Sequence, residues 1–273
     1  MKPRTILFLA LLCLLSLVAP SAQAQCPARN TAFKSGETLM YDLYFNWKFV
    51  WVKAGTAYMN TTETTYHGRP ALRTYLITRG SPKVDRFFVM RDTLTCYMTP
   101  YIEPLYYRKG ALEGKTFRLN EVWYDYKDGR CNLRMRYRRD KLAPIVKSET
   151  QTTCPFDMIS MLQRARSFDP STWRKGHCIK FLMADGQRTS WQTIVYRGKK
   201  NFKMEKTNIE YRCLVFSFME REDGKEKEVV RFYITDDKNH LPVRLDLNLN
   251  FGTAKAFLTG ARGVRNPQTA RVK

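Results

Sequence analysis

Residues 39–51 read LMYDLYFNWKFVW. The odd positions are Leu39, Tyr41, Leu43, Phe45, Trp47, Phe49 and Trp51, while the even ones include Asp42, Asn46 and Lys48. Period-two alternation over so long a segment is the signature of a strand with one apolar face, here a heavily aromatic one. Gly55-Thr56 reads as an interruption, and 57–65 as a second strand. Further along, His67-Gly68-Arg69-Pro70, Gly80-Ser81-Pro82 and Lys127-Asp128-Gly129 read as turns between strand-like runs, including a run over 84–98. Leu133, Met135 and Tyr137 alternate with Arg134, Arg136 and Arg138. Leu241, Val243, Leu245, Leu247 and Leu249 alternate with Arg244, Asp246, Asn248 and Asn250, and a turn at Phe251-Gly252 leads to a last strand near 255–258.

One segment breaks this rhythm. In 157–166, Ile159, Leu162 and Ala165 recur at helical spacing, Pro155 just precedes, and Asp157 is placed to cap the start. The fold class expected is therefore mainly β: a single antiparallel, strongly curved sheet or incomplete β-barrel with one central helix.

The first 24 residues have the layout of a secretory signal peptide: Lys2 and Arg4, the apolar run 6–18, then Ala22-Gln23-Ala24. Cleavage after Ala24 is expected. Lipidation at Cys26 is disfavoured because Gln25 stands where a small residue is wanted. The expected organisation is 1–24 signal peptide, 25–260 one β-rich domain, and 261–273 a basic flexible tail. Roughly 250 residues suffice for a sizeable core. Export makes nucleotide cofactors and genomic nucleic acid poor partners.

The formal net charge is +22. Such a balance suits a lipid face or an acidic glycan, and equally suits plain solubility. Cys13 leaves with the signal. Cys26, Cys96, Cys131, Cys154, Cys178 and Cys213 remain as disulfide candidates, up to three bridges with the pairing open. The only histidines, His67, His177 and His240, have no metal-ligand spacing, so neither a metal nor a cofactor is expected.

No catalytic motif is present. A triad of Ser160, His177 and Asp157 can be drawn, but nothing in the spacing demands it. Two constellations carry binding chemistry. The aromatic stripe Tyr41, Phe45, Trp47, Phe49 and Trp51 reads as sheet core, or as the lining of an apolar cavity for a lipid-like ligand. Arg134, Arg136 and Arg138 read as a solvated outer face, or as a dock for carboxylate or phosphate groups.

An ordered set of short motifs resembles the DUF3108 family of exported bacterial proteins. It comprises Phe33-x-x-Gly36-Glu37-x-Leu39-x-Tyr41, Gly55-Thr56-Ala57, Phe88-x-x-x-Asp92, Asp157-Met158-Ile159-Ser160-Met161-Leu162-x-x-x-Arg166, Asp236-Asp237 through Leu241-Pro242-Val243-Arg244-Leu245, and Gly252-x-x-x-Ala256-x-Leu258. The resemblance implies a β-rich protein of the periplasm or cell envelope of a Gram-negative-type bacterium, and no established activity. The cysteines and the arginine stripe lie outside that pattern. Together these readings predict a non-catalytic envelope protein that binds or carries an amphipathic or acidic molecule, a lipid or a glycan. A structural partner of other envelope proteins and a glycan-acting enzyme stand as alternatives.

Overall fold

The computed structural model describes residues 26–47, 50–204, 209–222, 225–249 and 252–272. The expected signal peptide and Phe49 lie outside the described residues.

The front half is a meander of β1 (Thr38–Trp47), β2 (Val50–Tyr66), β3 (Arg69–Gly80), the short α1 (Pro82–Asp85), β4 (Met90–Met98), β5 (Pro104–Glu113), β6 (Thr116–Lys127), β7 (Arg130–Arg139) and β8 (Ile145–Gln151). Then come β9 (Pro155–Phe156) and α2 (Met158–Ala165). The back half is β10 (Cys178–Ala184), β11 (Thr189–Lys203), β12 (Glu210–Glu222), β13 (Lys225–Thr235), β14 (Pro242–Leu249) and β15 (Gly252–Arg262).

These strands form one sheet in the order β8-β7-β6-β5-β4-β3-β2-β1-β15-β14-β13-β12-β11-β10-β9, a nearly closed barrel-like sheet. Every neighbouring pair is antiparallel except β9 and β10. The join of the two meanders is β1 against β15, with Thr38 opposite Arg262 and Phe45 opposite Ala254. The expected β-class with one central helix is what the chain adopts.

The segment 39–51, read as one strand, is two. Trp47 pairs with Val50 and Asn46 with Trp51, so the chain reverses between Trp47 and Val50. β2 then runs straight through Gly55. Alternation survives in the sequence because a two-residue connection pairs odd with even positions. Trp51 therefore shares a face with Asn46, opposite to the face of Leu39, Tyr41, Leu43 and Phe45. Gly55 is needed for close approach, since a Cβ there would lie 2.1 Å from the Arg79 carbonyl oxygen. The run 84–98 is also divided: Ser81 caps α1 with Pro82 in its first turn, and β4 starts only at Met90.

Asp128 and Gly129 both have positive φ, as do His67 and Gly68, the pattern of the tight hairpin turns expected there. Inside the barrel two main apolar clusters form. One gathers Leu94, Cys96, Met98, Val122, Leu133, Met135 and Ile159. The other gathers Leu39, Tyr41, Met59, Val243, Ala256 and Leu258. A fully buried side chain of this size stabilises by about 1.5–3 kcal/mol, and α2 contributes Ile159 at 0 % exposure to the first cluster.

The cysteine expectation is narrowed, and the expectation of a loose tail is corrected. One cysteine pair is bridged, Cys26–Cys154, and it ties the start of the described chain to the approach to α2. Cys96, Cys131 and Cys213 are free and buried, and Cys178 is free and exposed, because the sheet register places these four on separate strands. The stretch 261–273, expected as a loose tail, is held as far as it is described. Ala270 is fully buried, its carbonyl accepts from Arg212 N, and Val272 N donates to Glu210 O. The reason is backbone satisfaction: the tail bridges Tyr211 to Arg271 just beyond Cys213, where β13 stops pairing with β12.

Candidate functional site

Two arrangements of polar and aromatic side chains stand out. One is buried along α2 and the other lies on the surface of the front half.

Asp157 caps α2, its Oδ1 accepting from Ile159 N and Ser160 N at 2.9 Å each, while Ser160 Oγ donates to Asp157 Oδ2 at 2.8 Å. Cys96 Sγ donates to the same carboxylate at 3.3 Å. One turn on, Gln163 donates to Thr61 and Thr74 hydroxyls. Arg166, just past the helix, makes five hydrogen bonds: Nη1 to Glu37 Oε1 (2.5 Å) and Gln163 Oε1 (3.0 Å), Nη2 to Glu37 Oε2 (2.8 Å) and Asn239 O (3.1 Å), and Nε to Asn239 O (3.2 Å). Glu37 and Arg166 are each 1 % exposed.

This network holds the helix against both halves of the sheet and offers no reactive group. Burial raises the Cys96 thiol well above its ordinary range, with Asp157 adding to the effect. Burial pushes Cys131 and Cys213 up to about 12. Neutral buried thiols are poor nucleophiles. His240 donates from Nδ1 to the Arg166 carbonyl, 2.6 Å away, and burial lowers its pKa, so it serves as a structural group. Of the drawn triad, Asp157 and Ser160 are consumed by the cap, and His177 stacks on Trp173 at 4.6 Å.

The surface arrangement follows from register. Tyr97, Tyr106, Trp123, Arg134 and Ser148 are successive cross-strand partners over β4 to β8, and so share one face. Tyr66 at the end of β2 joins them. Ring centroids run Tyr66–Tyr97 5.2 Å, Tyr66–Tyr106 6.2 Å and Tyr106–Trp123 5.4 Å. Arg134 and Arg136 flank Trp123, with guanidinium carbons 5.2 and 5.5 Å from the ring centroid. Arg138 lies over Phe117 at 5.9 Å.

The three arginines differ in charge balance. Arg136 Nε donates to the buried Glu121 carboxylate at 2.6 Å, and the Tyr106 hydroxyl donates to its other oxygen, also at 2.6 Å. Burial raises the Tyr106 hydroxyl pKa, with Glu121 adding to it, so Tyr106 remains a donor. Arg134 is exposed and has no ion-pair partner among the described residues.

Beside Arg134 opens a cleft of about 510 Å³. Its lining draws on three consecutive rungs of β6, β7 and β8: Trp123–Arg134–Ser148, Tyr124–Leu133–Glu149 and Asp125–Asn132–Thr150. Tyr66, His67 and Leu105 complete it. Tyr124 and Leu133 alternate to the opposite face and belong to the first interior cluster, so the Tyr124 hydroxyl, without a hydrogen-bond partner among the described residues, faces the barrel interior.

The aromatic stripe of β1 sits elsewhere. Tyr41 is buried in the barrel interior, where desolvation raises its pKa, and Phe45 is half-buried on the same face. Trp47 ends β1. Trp51 is on the other side, with Lys255 Nζ 4.1 Å from its ring centroid. Pattern reading found Arg134 and Arg136 but missed Trp123, Tyr106 and Tyr66, which only the register brings beside them. It also missed the Glu37–Arg166 pair, although both residues belong to the ordered motif set.

The fold is similar to the crystal structure of a β-barrel-like protein of the domain of unknown function DUF1849 from Brucella abortus, with a TM-score of 0.53 and 12 % identity over 84 % of this chain and 98 % of that one. At that identity the likeness concerns the fold alone. No curated protein matches the chain. The family model described as a protein of unknown function, DUF3108, matches residues 40–259, a span that holds most of β1, all of α2 and most of β15, and the chain therefore belongs to the DUF3108 family.

Proposed function

We propose that this is an exported, non-catalytic binding protein of the bacterial envelope, and that its ligand is an acidic glycan seated in the Trp123–Arg134 cleft. The observation that carries this reading is the Arg134 guanidinium, exposed and without an ion-pair partner among the described residues, beside Trp123 and Tyr66 in that cleft. Ring faces suit the apolar faces of sugar rings. The Arg134 fork suits a sugar carboxylate. Asp125 and Asn132, on the same face as Arg134, supply partners for hydroxyl groups. The leader-like first 24 residues support export.

The test is calorimetric titration with a uronate-bearing oligosaccharide and with its carboxyl-reduced counterpart. The acidic form binds, and the reduced form binds at least tenfold more weakly. Trp123→Ala and Arg134→Gln each weaken binding about tenfold, the scale of a lost stacking or charge-assisted contact. Equal affinity for both forms, or binding that survives both substitutions, overturns the reading.

A further inference from the structure

We infer that one end of the barrel docks on an anionic lipid surface. The inference is independent of the glycan cleft and rests on what the alternating strand directions bring together. Register places the β1–β2, β3–β4, β5–β6 and β7–β8 connections at the same end of the sheet, with the β14–β15 turn beside them. Backbone bonds tie these connections to their neighbours: Ser81 N to Ala54 O, Gly114 N to Val89 O, and Asp140 N to Phe117 O.

This end carries most of the large exposed apolar side chains. Phe87 is 92 % exposed, Leu142 65 % and Val50 62 %, with Trp51, Val52 and Phe88 also exposed. Single exposed apolar residues need no explanation, but a set gathered on loop tips at one end does. Trp51, with Lys255 over its ring, has the amphipathic character of side chains at a membrane interface.

Charge selects the occupant. The acidic residues of these connections are spent on neighbours: Asp85 on Arg91, Glu113 on Arg118 and Asp140 on Arg139. Lys83, Arg86, Lys115 and Lys141 are exposed on the same connections and have no ion-pair partner among the described residues. Across the β12–β13 hairpin Glu220 stands opposite Lys227 and Glu226 opposite Arg221, so its charges balance and the excess of cations lies in the front half. Apolar tips and unpaired cations on the same connections complement an anionic headgroup layer, the tips entering the acyl boundary and the cations meeting the phosphates. Among the described residues no helix is long and apolar enough to cross a membrane, and the contact drawn here uses loop tips.

The experiment is vesicle flotation with the purified protein, its first residue read by mass spectrometry and all variants made in the same background. Vesicles are phosphatidylcholine alone or phosphatidylcholine with phosphatidylglycerol. The protein floats with the anionic vesicles, less with the neutral ones, and less again at high salt. Phe87→Ser lowers the partition coefficient about tenfold, as burial of one Phe predicts. Lys83→Gln with Lys141→Gln lowers it about tenfold on anionic vesicles only. Trp123→Ala changes nothing, which separates this surface from the glycan cleft. Phe87 is so exposed that its substitution leaves the melting temperature unchanged. Absence of flotation overturns the inference, as does flotation indifferent to these substitutions. So does a concentration-dependent dimer in vesicle-free solution that Phe87→Ser dissolves, for the cover is then a second copy.

Discussion

Replacing Arg166 by Met removes five hydrogen bonds and leaves the Glu37 carboxylate, 1 % exposed, without its cation. Methionine fills much of the arginine volume, so the dominant loss is electrostatic rather than a cavity. Removing one partner of a buried ion pair costs about 3–5 kcal/mol. Native domains hold only about 5–15 kcal/mol in total, so Arg166→Met takes a large share of the stability. For a chain of this size the melting temperature falls by about 6–20 °C. The assay is urea unfolding of the wild type, Arg166→Met, Glu37→Gln and the double variant. A neutral amide in place of the Glu37 carboxylate needs no cation, so the double variant is expected to be more stable than the sum of the single losses, with a coupling of about 1–3 kcal/mol. A loss below about 1 kcal/mol for Arg166→Met, or strict additivity of the two substitutions, refutes the claim that the pair is mutually dependent.

Burial holds the Asp92 carboxyl up to about 6, with Glu113 adding to the effect and Lys109 opposing it. A carboxyl whose folded pKa exceeds its unfolded value stabilises the fold at low pH and loses that contribution as pH rises from about 4 to above 6. Allowing for its partial exposure the effect is about 1–2 kcal/mol, and Asp92→Asn flattens that part of the stability–pH curve, read as urea midpoints. The Cys26–Cys154 bridge spans 128 residues of sequence, so Cys154→Ser costs about 4–5 kcal/mol at the upper limit of chain entropy, measured by the same unfolding assay. Alkylation of the native protein labels Cys178 alone, and denaturation exposes Cys96, Cys131 and Cys213 as well. Gly186 has φ +94° and a Cβ there would lie 2.8 Å from the Asn120 Cβ, so Gly186→Ala pushes the β10–β11 turn off β6 at a cost of about 1–3 kcal/mol in thermal stability.

The sequence by itself determined the local structure. Alternation in 39–47, 133–138 and 241–249 specifies strands because side chains on a pleated strand must leave by opposite faces. Asp128-Gly129 specifies a tight hairpin because few other residues accept two successive positive φ angles. Asp157 with Ile159, Leu162 and Ala165 specifies α2 and its cap, and the ordered motifs specify the family. The candidate cleft was legible only at Arg134, and the surface beside it only at Arg136. What joins Tyr66, Tyr97, Tyr106 and Trp123 to them is cross-strand register, which depends on turn lengths summed over several strands. The same holds for parity: a two-residue connection sent Trp51 to the face opposite Tyr41, though both occupy odd positions of one alternating run. Tertiary structure alone decided which side of the alternation is enclosed, that β1 closes on β15, that Cys26 bridges Cys154, and that Glu37 meets Arg166 across 129 residues of chain. A local pattern fixes which way a side chain points, but only closure of the sheet fixes what it meets there.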